Sequence, residues 1–121
     1  MDPTEVSPEL YATIFENDRV RVLKYQDKPG DCTKPHAHPD SVMVTLSSFR
    51  RRISSGGRSV DVEIGAGQVR WVGAQEHTGE NIGDTETVSL FVELKEPAPG
   101  PATAPALGPL GPSGPLGPSE G

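Results

Sequence analysis

The chain has 121 residues, a formal net charge of −6, 33% hydrophobic residues and one cysteine. That length suits one domain, the acidic balance argues against a nucleic-acid or anionic-membrane partner, and a lone Cys32 excludes an intramolecular disulfide. No apolar run approaches the length of a membrane span, and Met1-Asp2-Pro3-Thr4-Glu5 lacks the apolar stretch of a signal peptide, so a soluble cytoplasmic protein is expected.

Residues 1–15 read as a polar lead-in that ends in an edge strand over 10–15, and Glu16-Asn17-Asp18 reads as a turn. A strong strand over 19–26 follows, rich in Val, Leu and Tyr. Its alternation slips between Val22 and Leu23, as a β-bulge or burial on both faces would cause. Lys28-Pro29-Gly30-Asp31 is the next turn and leads into Pro35-His36-Ala37-His38-Pro39-Asp40. Strand pattern resumes over 41–46 and 48–53 and stops at Ser54-Ser55-Gly56-Gly57. Within it, Arg50-Arg51-Arg52 would alternate faces, so the run forms no single phosphate-binding stripe and is read as a solvated strand end.

Val60-Asp61-Val62-Glu63-Ile64 alternates apolar and acidic residues cleanly. Beyond the Gly65-Ala66-Gly67 turn lie Val69-Arg70-Trp71-Val72, then His77 in a loop or short strand, then turn residues Asn81-Ile82-Gly83-Asp84. The closing strand, 87–94, carries Val88, Leu90, Val92 and Leu94 on one face. About eight short strands with Gly, Pro and Asn turns, and no helix, describe an all-β barrel or sandwich. A domain of that size buries a modest core; dimerisation would relieve its marginal stability, and a homodimer is expected on that ground.

Most of the 13 prolines fall after Lys95. From Glu96 onward the composition turns to Pro, Ala, Gly and Leu, with consecutive Gly-Pro-x triplets from Gly108 to Ser119. The run is too short to hold a collagen helix, so 96–121 is expected to be a disordered tail of polyproline II character.

Two of the protein's three histidines, His36 and His38, stand one residue apart. On a strand, side chains at i and i+2 share a face about 6.5 to 7 Å apart, so two imidazoles there can lean onto one metal ion at about 2.0–2.1 Å each. The third, His77, lies far downstream, and a site drawing on both stretches needs a fold that joins distant strands. Asp40 has the same strand parity as His36 and His38 and is a secondary candidate, as ligand or as a hydrogen-bond acceptor behind one. Asn81 is better read as a turn residue bonding its own backbone, Cys32 as a bystander thiol, and Trp71, Phe91 and Tyr25 as core or cavity lining.

With these residues assembled, the chain resembles a small single-domain cupin of the RmlC-like superfamily. The first cupin motif runs from a glycine through five residues to His-x-His, then to a glutamate; Gly30, His36 and His38 fit it. The second runs from a glycine to a histidine and an asparagine four residues on; Gly67, His77 and Asn81 fit, with Gly73 where proline is usual. The similarity covers roughly Glu16 to Lys95 and implies a cupin-type antiparallel β-barrel, or jelly roll, over 16–95. The motif glutamate would fall at Val42 or Met43, neither of which binds a hard cation. The resemblance therefore implies a three-histidine variant with His36, His38 and His77 as metal ligands.

Three neutral imidazoles leave the full charge of a divalent ion uncompensated, which favours an anionic ligand in its open positions. Imidazole suits Fe, Zn, Ni or Cu, with Mn also open, so the donors do not choose the metal. The implied function is a metal-dependent cupin acting on a small organic molecule, dioxygenase-like or isomerase-like, with no catalytic base assigned. The alternative is a non-catalytic ligand-binding or interaction cupin that merely retains the histidines.

Overall fold

The computed structural model describes residues 1–96, and the expected tail over 97–121 lies outside the described residues. A short helix, α1 (Pro3–Val6), precedes nine strands: β1 (Tyr11–Glu16), β2 (Val20–Asp27), β3 (His36–His38), β4 (Ser41–Thr45), β5 (Phe49–Ser55), β6 (Arg58–Ile64), β7 (Val69–Val72), β8 (Gln75–Asn81) and β9 (Thr87–Leu94). They form a five-stranded sheet, β1-β2-β9-β4-β7, and a four-stranded sheet, β3-β8-β5-β6. Every pairing between these strands is antiparallel. Two such sheets, face to face, make the jelly-roll barrel.

Two local expectations are corrected. The polar lead-in holds a helix after all: Pro3 stands in its first turn, where a missing N–H costs nothing, and Asp2 caps it by accepting from the Thr4 N–H at 2.8 Å. The bulge is real but belongs to β1, where Ile14 is the extra residue opposite the Leu23/Val22 step; the slip in the β2 pattern marks the partner strand's irregularity. Of the loop or short strand expected around His77, the structure shows the strand, β8.

Two apolar clusters hold the barrel. Met43, Phe49, Ile64 and Val72 form one and Tyr11, Leu23 and Tyr25 the other, with Phe91 packed against both. The motif glycines have a backbone reason: Gly30 (φ 90°) and Gly67 (φ 78°) occupy the left-handed region at turns, where a side chain would be strained.

The inner face of the larger sheet is unusually polar. Ser41, Met43 and Thr45 of β4 are buried while Val42 and Val44 face outward, and in β9 Thr87, Ser89 and Glu93 are buried while Val88, Leu90, Val92 and Leu94 are not. The closing strand's apolar face therefore lies on the outside of the barrel.

Arg51 overturns the reading of the arginine run. Arg50 and Arg52 are exposed, and Arg52 pairs with Asp61 at 2.8 Å. Arg51 points inward, is 7% exposed and ion-pairs with the buried Asp27. Its Nη1 also donates to Thr87 Oγ1 at 3.2 Å and its Nη2 to the Tyr25 hydroxyl at 3.1 Å. Gly79 makes room for it, since a Cβ there would stand 2.8 Å from Arg51 Nη2. Desolvation works against the Arg51 charge, but Tyr25 and Asp27 more than offset it and raise its pKa.

Candidate metal centre

The site is built by one strand pair. In the β3–β8 ladder His36 lies directly opposite His77, and His38 lies opposite Gln75. Directly opposed residues of an antiparallel pair share a face, and His38, two residues from His36, joins them. The ring centroids are 4.7 Å apart for His36 and His38, 4.8 Å for His36 and His77, and 5.3 Å for His38 and His77. One ring nitrogen from each lies within 4.8 Å of the others, and the donors form a buried or half-buried group.

The other ring nitrogens fix which atoms converge. His36 Nδ1 lies 2.7 Å from the Lys34 carbonyl oxygen, His38 Nδ1 3.0 Å from Glu93 Oε2, and His77 Nδ1 2.9 Å from Gln75 Oε1. Gln75 is oriented by donating its amide to the Gly73 carbonyl at 2.9 Å. All three partners are acceptors, so each Nδ1 carries the proton, and in the neutral ring Nε2 keeps its lone pair. Such an arrangement is what orients histidines toward a metal.

Electrostatics point the same way. Burial, with the neighbouring His38 second, lowers the pKa of His36 to about 4. Burial, followed by His38 and His36, lowers that of His77 to about 3. Both rings are therefore neutral at pH 7, the state that metal coordination requires.

Two contributors were not found from the sequence. Glu93, from β9, is 3% exposed; its Oε1 accepts from Arg21 Nε at 2.8 Å, and Arg21 reaches on to Asp2 at 2.9 Å. Tyr11, from β1, places its hydroxyl 3.3 Å from His36 Nε2 and 3.4 Å from His38 Nε2. Phe91 stacks on His38 at 5.2 Å and 19°.

Asp40 does not reach the site; its carboxylate accepts from the Ala74 N–H at 2.8 Å. The acceptor role considered for it is filled by Glu93. Asn81 does bond its own turn, accepting from the Gly83 N–H at 3.0 Å, but it is buried and also donates to Asp27 at 3.0 Å. Cys32 is exposed.

A cavity of about 50 Å³ opens beside the histidines, between the sheets. His36, His77, Met43, Phe49, Phe91 and Arg51 contribute to its wall. Met43 faces inward there, so an apolar thioether stands on the strand where the cupin motif places its glutamate. The Ser89 hydroxyl, also on the wall, has no hydrogen-bond partner among the described residues.

Comparison with known proteins matches this architecture. No protein-family model and no curated protein matches the sequence. Among solved structures, a cupin domain from Bordetella pertussis is 27% identical, covering 72% of this chain and 93% of its own, with a TM-score of 0.67. The fold is that of the cupins. An RmlC-like cupin family protein from Methanocaldococcus jannaschii, with a double-stranded β-helix fold, is 9% identical over 70% of this chain and 78% of its own, TM-score 0.58. The polyketide cyclase RemF from Streptomyces resistomycificus is 18% identical over 74% of this chain and 66% of its own, TM-score 0.54.

The donor set of this cupin fits a divalent ion. Three Nε2 lone pairs and one hydroxyl meet with a single hydroxyl proton among them, a surplus of electron pairs that a cation satisfies and hydrogen bonds alone do not.

Proposed function

We propose that this cupin binds a divalent metal ion through His36, His38 and His77 and acts on a small organic molecule in the adjoining cavity. The observation that carries the reading is that every Nδ1 of the three rings faces an acceptor, which leaves the Nε2 atoms as the converging donors. When bound, the ion would supply Lewis acidity or, for a redox metal, a place for O₂ beside the substrate. Fe, Zn, Ni, Cu and Mn are all compatible with such donors.

The chain's own residues define the rest. Met43, Phe49 and Phe91 exclude water from one side of the cavity, while Arg51 and the Ser89 hydroxyl offer polar contacts. A substrate with an apolar body and one or two oxygen donors suits that lining. Dioxygenase-like and isomerase-like reactions both fit this reading. RemF, of similar fold, is a polyketide cyclase.

The second reading is a ligand-binding cupin without a functional metal, favoured by Met43 on the glutamate strand and by the small cavity. Elemental analysis of the full chain, purified without an affinity tag, separates the two. One equivalent of metal, lost in His77→Ala, supports the first; well under one equivalent, with no gain on reconstitution, supports the second. O₂-uptake and isomerase screens on the loaded protein then address the reaction.

A homodimer suits the outer face of the larger sheet. Phe15, Val22, Val92, Val42 and Trp71 lie in one row across β1, β2, β9, β4 and β7, and Phe15 is 54% exposed. A row of apolar side chains on a flat sheet is self-complementary under a two-fold axis. The assembly and the cytoplasmic setting belong to this proposal; among the described residues no helix is long and apolar enough to cross a membrane.

A further inference from the structure

Tyr11 is the one buried residue of β1; the other five side chains of that strand are exposed. The strand lies outside both cupin motifs, yet the buried side chain it sends inward ends against the histidine nitrogens. We propose that Tyr11 Oη is a fourth protein ligand to the metal ion, supplying from β1 the anionic oxygen that the motif glutamate would otherwise provide. The inference rests on the metal reading above.

Distance supports it first. In a tetrahedral site with N and O bonds of about 2.0–2.1 Å, neighbouring ligand atoms stand about 3.4 Å apart. Tyr11 Oη is 3.3 Å from His36 Nε2 and 3.4 Å from His38 Nε2. Both are long for an O–H···N hydrogen bond and match the edge of a coordination tetrahedron.

Proton counting supports it next. His36 and His38 hold their ring protons on Nδ1, so both Nε2 atoms present lone pairs to one hydroxyl. One phenolic proton cannot serve two acceptors well. When an ion takes the centre, the Oη–H bond breaks, the proton leaves to solvent, and the oxygen's electron pair forms the Oη–metal bond. The phenolate then cancels one of the two positive charges that three neutral imidazoles leave untouched.

The side chain is also held in place. Its ring packs on Tyr25 at 4.7 Å and 55°, on His36 at 5.4 Å and 66°, and on His38 at 5.8 Å. Met43, buried on β4, can offer no anionic oxygen.

The test loads the full chain, purified without a tag, with Fe(III) or Cu(II), whose phenolate complexes absorb visible light by ligand-to-metal charge transfer. The chain has only 2 tyrosines, so Tyr25→Phe leaves Tyr11 alone to produce such a band. The wild type and Tyr25→Phe are expected to show it, with tyrosinate modes in resonance Raman. Tyr11→Phe, which keeps the ring packing, is expected to bind one equivalent without the band and at least about tenfold more weakly. A band that survives in Tyr11→Phe overturns the proposal, as does a wild type that holds one equivalent without any band. A wild type that takes up no metal overturns the metal reading itself, and the tyrosine's part with it. If Tyr11→Phe does not fold by circular dichroism, the wild-type and Tyr25→Phe Raman spectra decide alone.

Discussion

Replacing Glu93 with glutamine probes how the site holds His38. The carboxylate serves two donors at once: Oε2 accepts from His38 Nδ1 at 3.0 Å, and Oε1 accepts from Arg21 Nε at 2.8 Å and Nη2 at 2.7 Å. Glutamine has the same shape but one acceptor oxygen. With that oxygen toward Arg21, the amide NH₂ faces His38 Nδ1 and drives the ring proton onto Nε2, which removes a ligand lone pair. With the oxygen toward His38, the NH₂ faces a guanidinium that offers no acceptor. Loss of an outer partner of a ligating histidine weakens metal binding about 10- to 100-fold, or about 1.4 to 2.7 kcal/mol. The metal-free protein should lose about 1.5 to 3 kcal/mol with the charge-assisted bond, because Glu93 is 3% exposed and little of that interaction is screened. Competition against a chelator of known affinity at fixed pH measures the first effect, and urea unfolding of the metal-free protein the second. A dissociation constant within about twofold of wild type, with unchanged stability, would refute the role given to Glu93.

Arg51→Met should destabilise the protein by about 3 to 5 kcal/mol, since it strands the buried Asp27 carboxylate; adding Asp27→Asn should recover part of that loss, and urea unfolding of single and double variants checks both. The metal-free protein should weaken as pH falls below about 6.5. There the unfolded chain protonates histidines that the fold keeps neutral, His36 down to about 4 and His77 down to about 3. Each histidine then costs up to about 1.4 kcal/mol per pH unit, stability above pH 6.5 is unaffected by them, and an identical urea midpoint at pH 7 and pH 5 would contradict the assignment. Val92→Lys, in the middle of the outer apolar row, should convert a wild-type dimer to a monomer by light scattering; a wild type that is already monomeric at high concentration removes the dimer from the proposal.

Much of the site was legible because its geometry is local. His36 and His38 share a face by strand parity, and the same parity places Val62 and Ile64 inward on β6. Gly30 and Gly67 announce turns through conformations that other residues resist. Arg51 was misread for the opposite reason: in sequence it is the middle of a basic run, and only Asp27, Tyr25 and Thr87, from two other strands, make its burial favourable. The polar parity of β9 misleads similarly, because Ser89 and Glu93 face a site rather than an apolar core. Glu93 and Tyr11 carried no signal, since each acts on a histidine dozens of positions away through a contact that no spacing rule connects.

The order of residues alone determined an all-β barrel or sandwich of short strands and a pair of histidines facing one way, since alternation and turn chemistry depend only on near neighbours. Tertiary structure decided what those histidines face. The register that sets His77 opposite His36, the Glu93 carboxylate that holds the His38 ring proton away from the centre, and the phenol that β1 carries against them all come from strands far apart in the chain. Backbone pairing between such strands leaves little trace in either strand's own sequence.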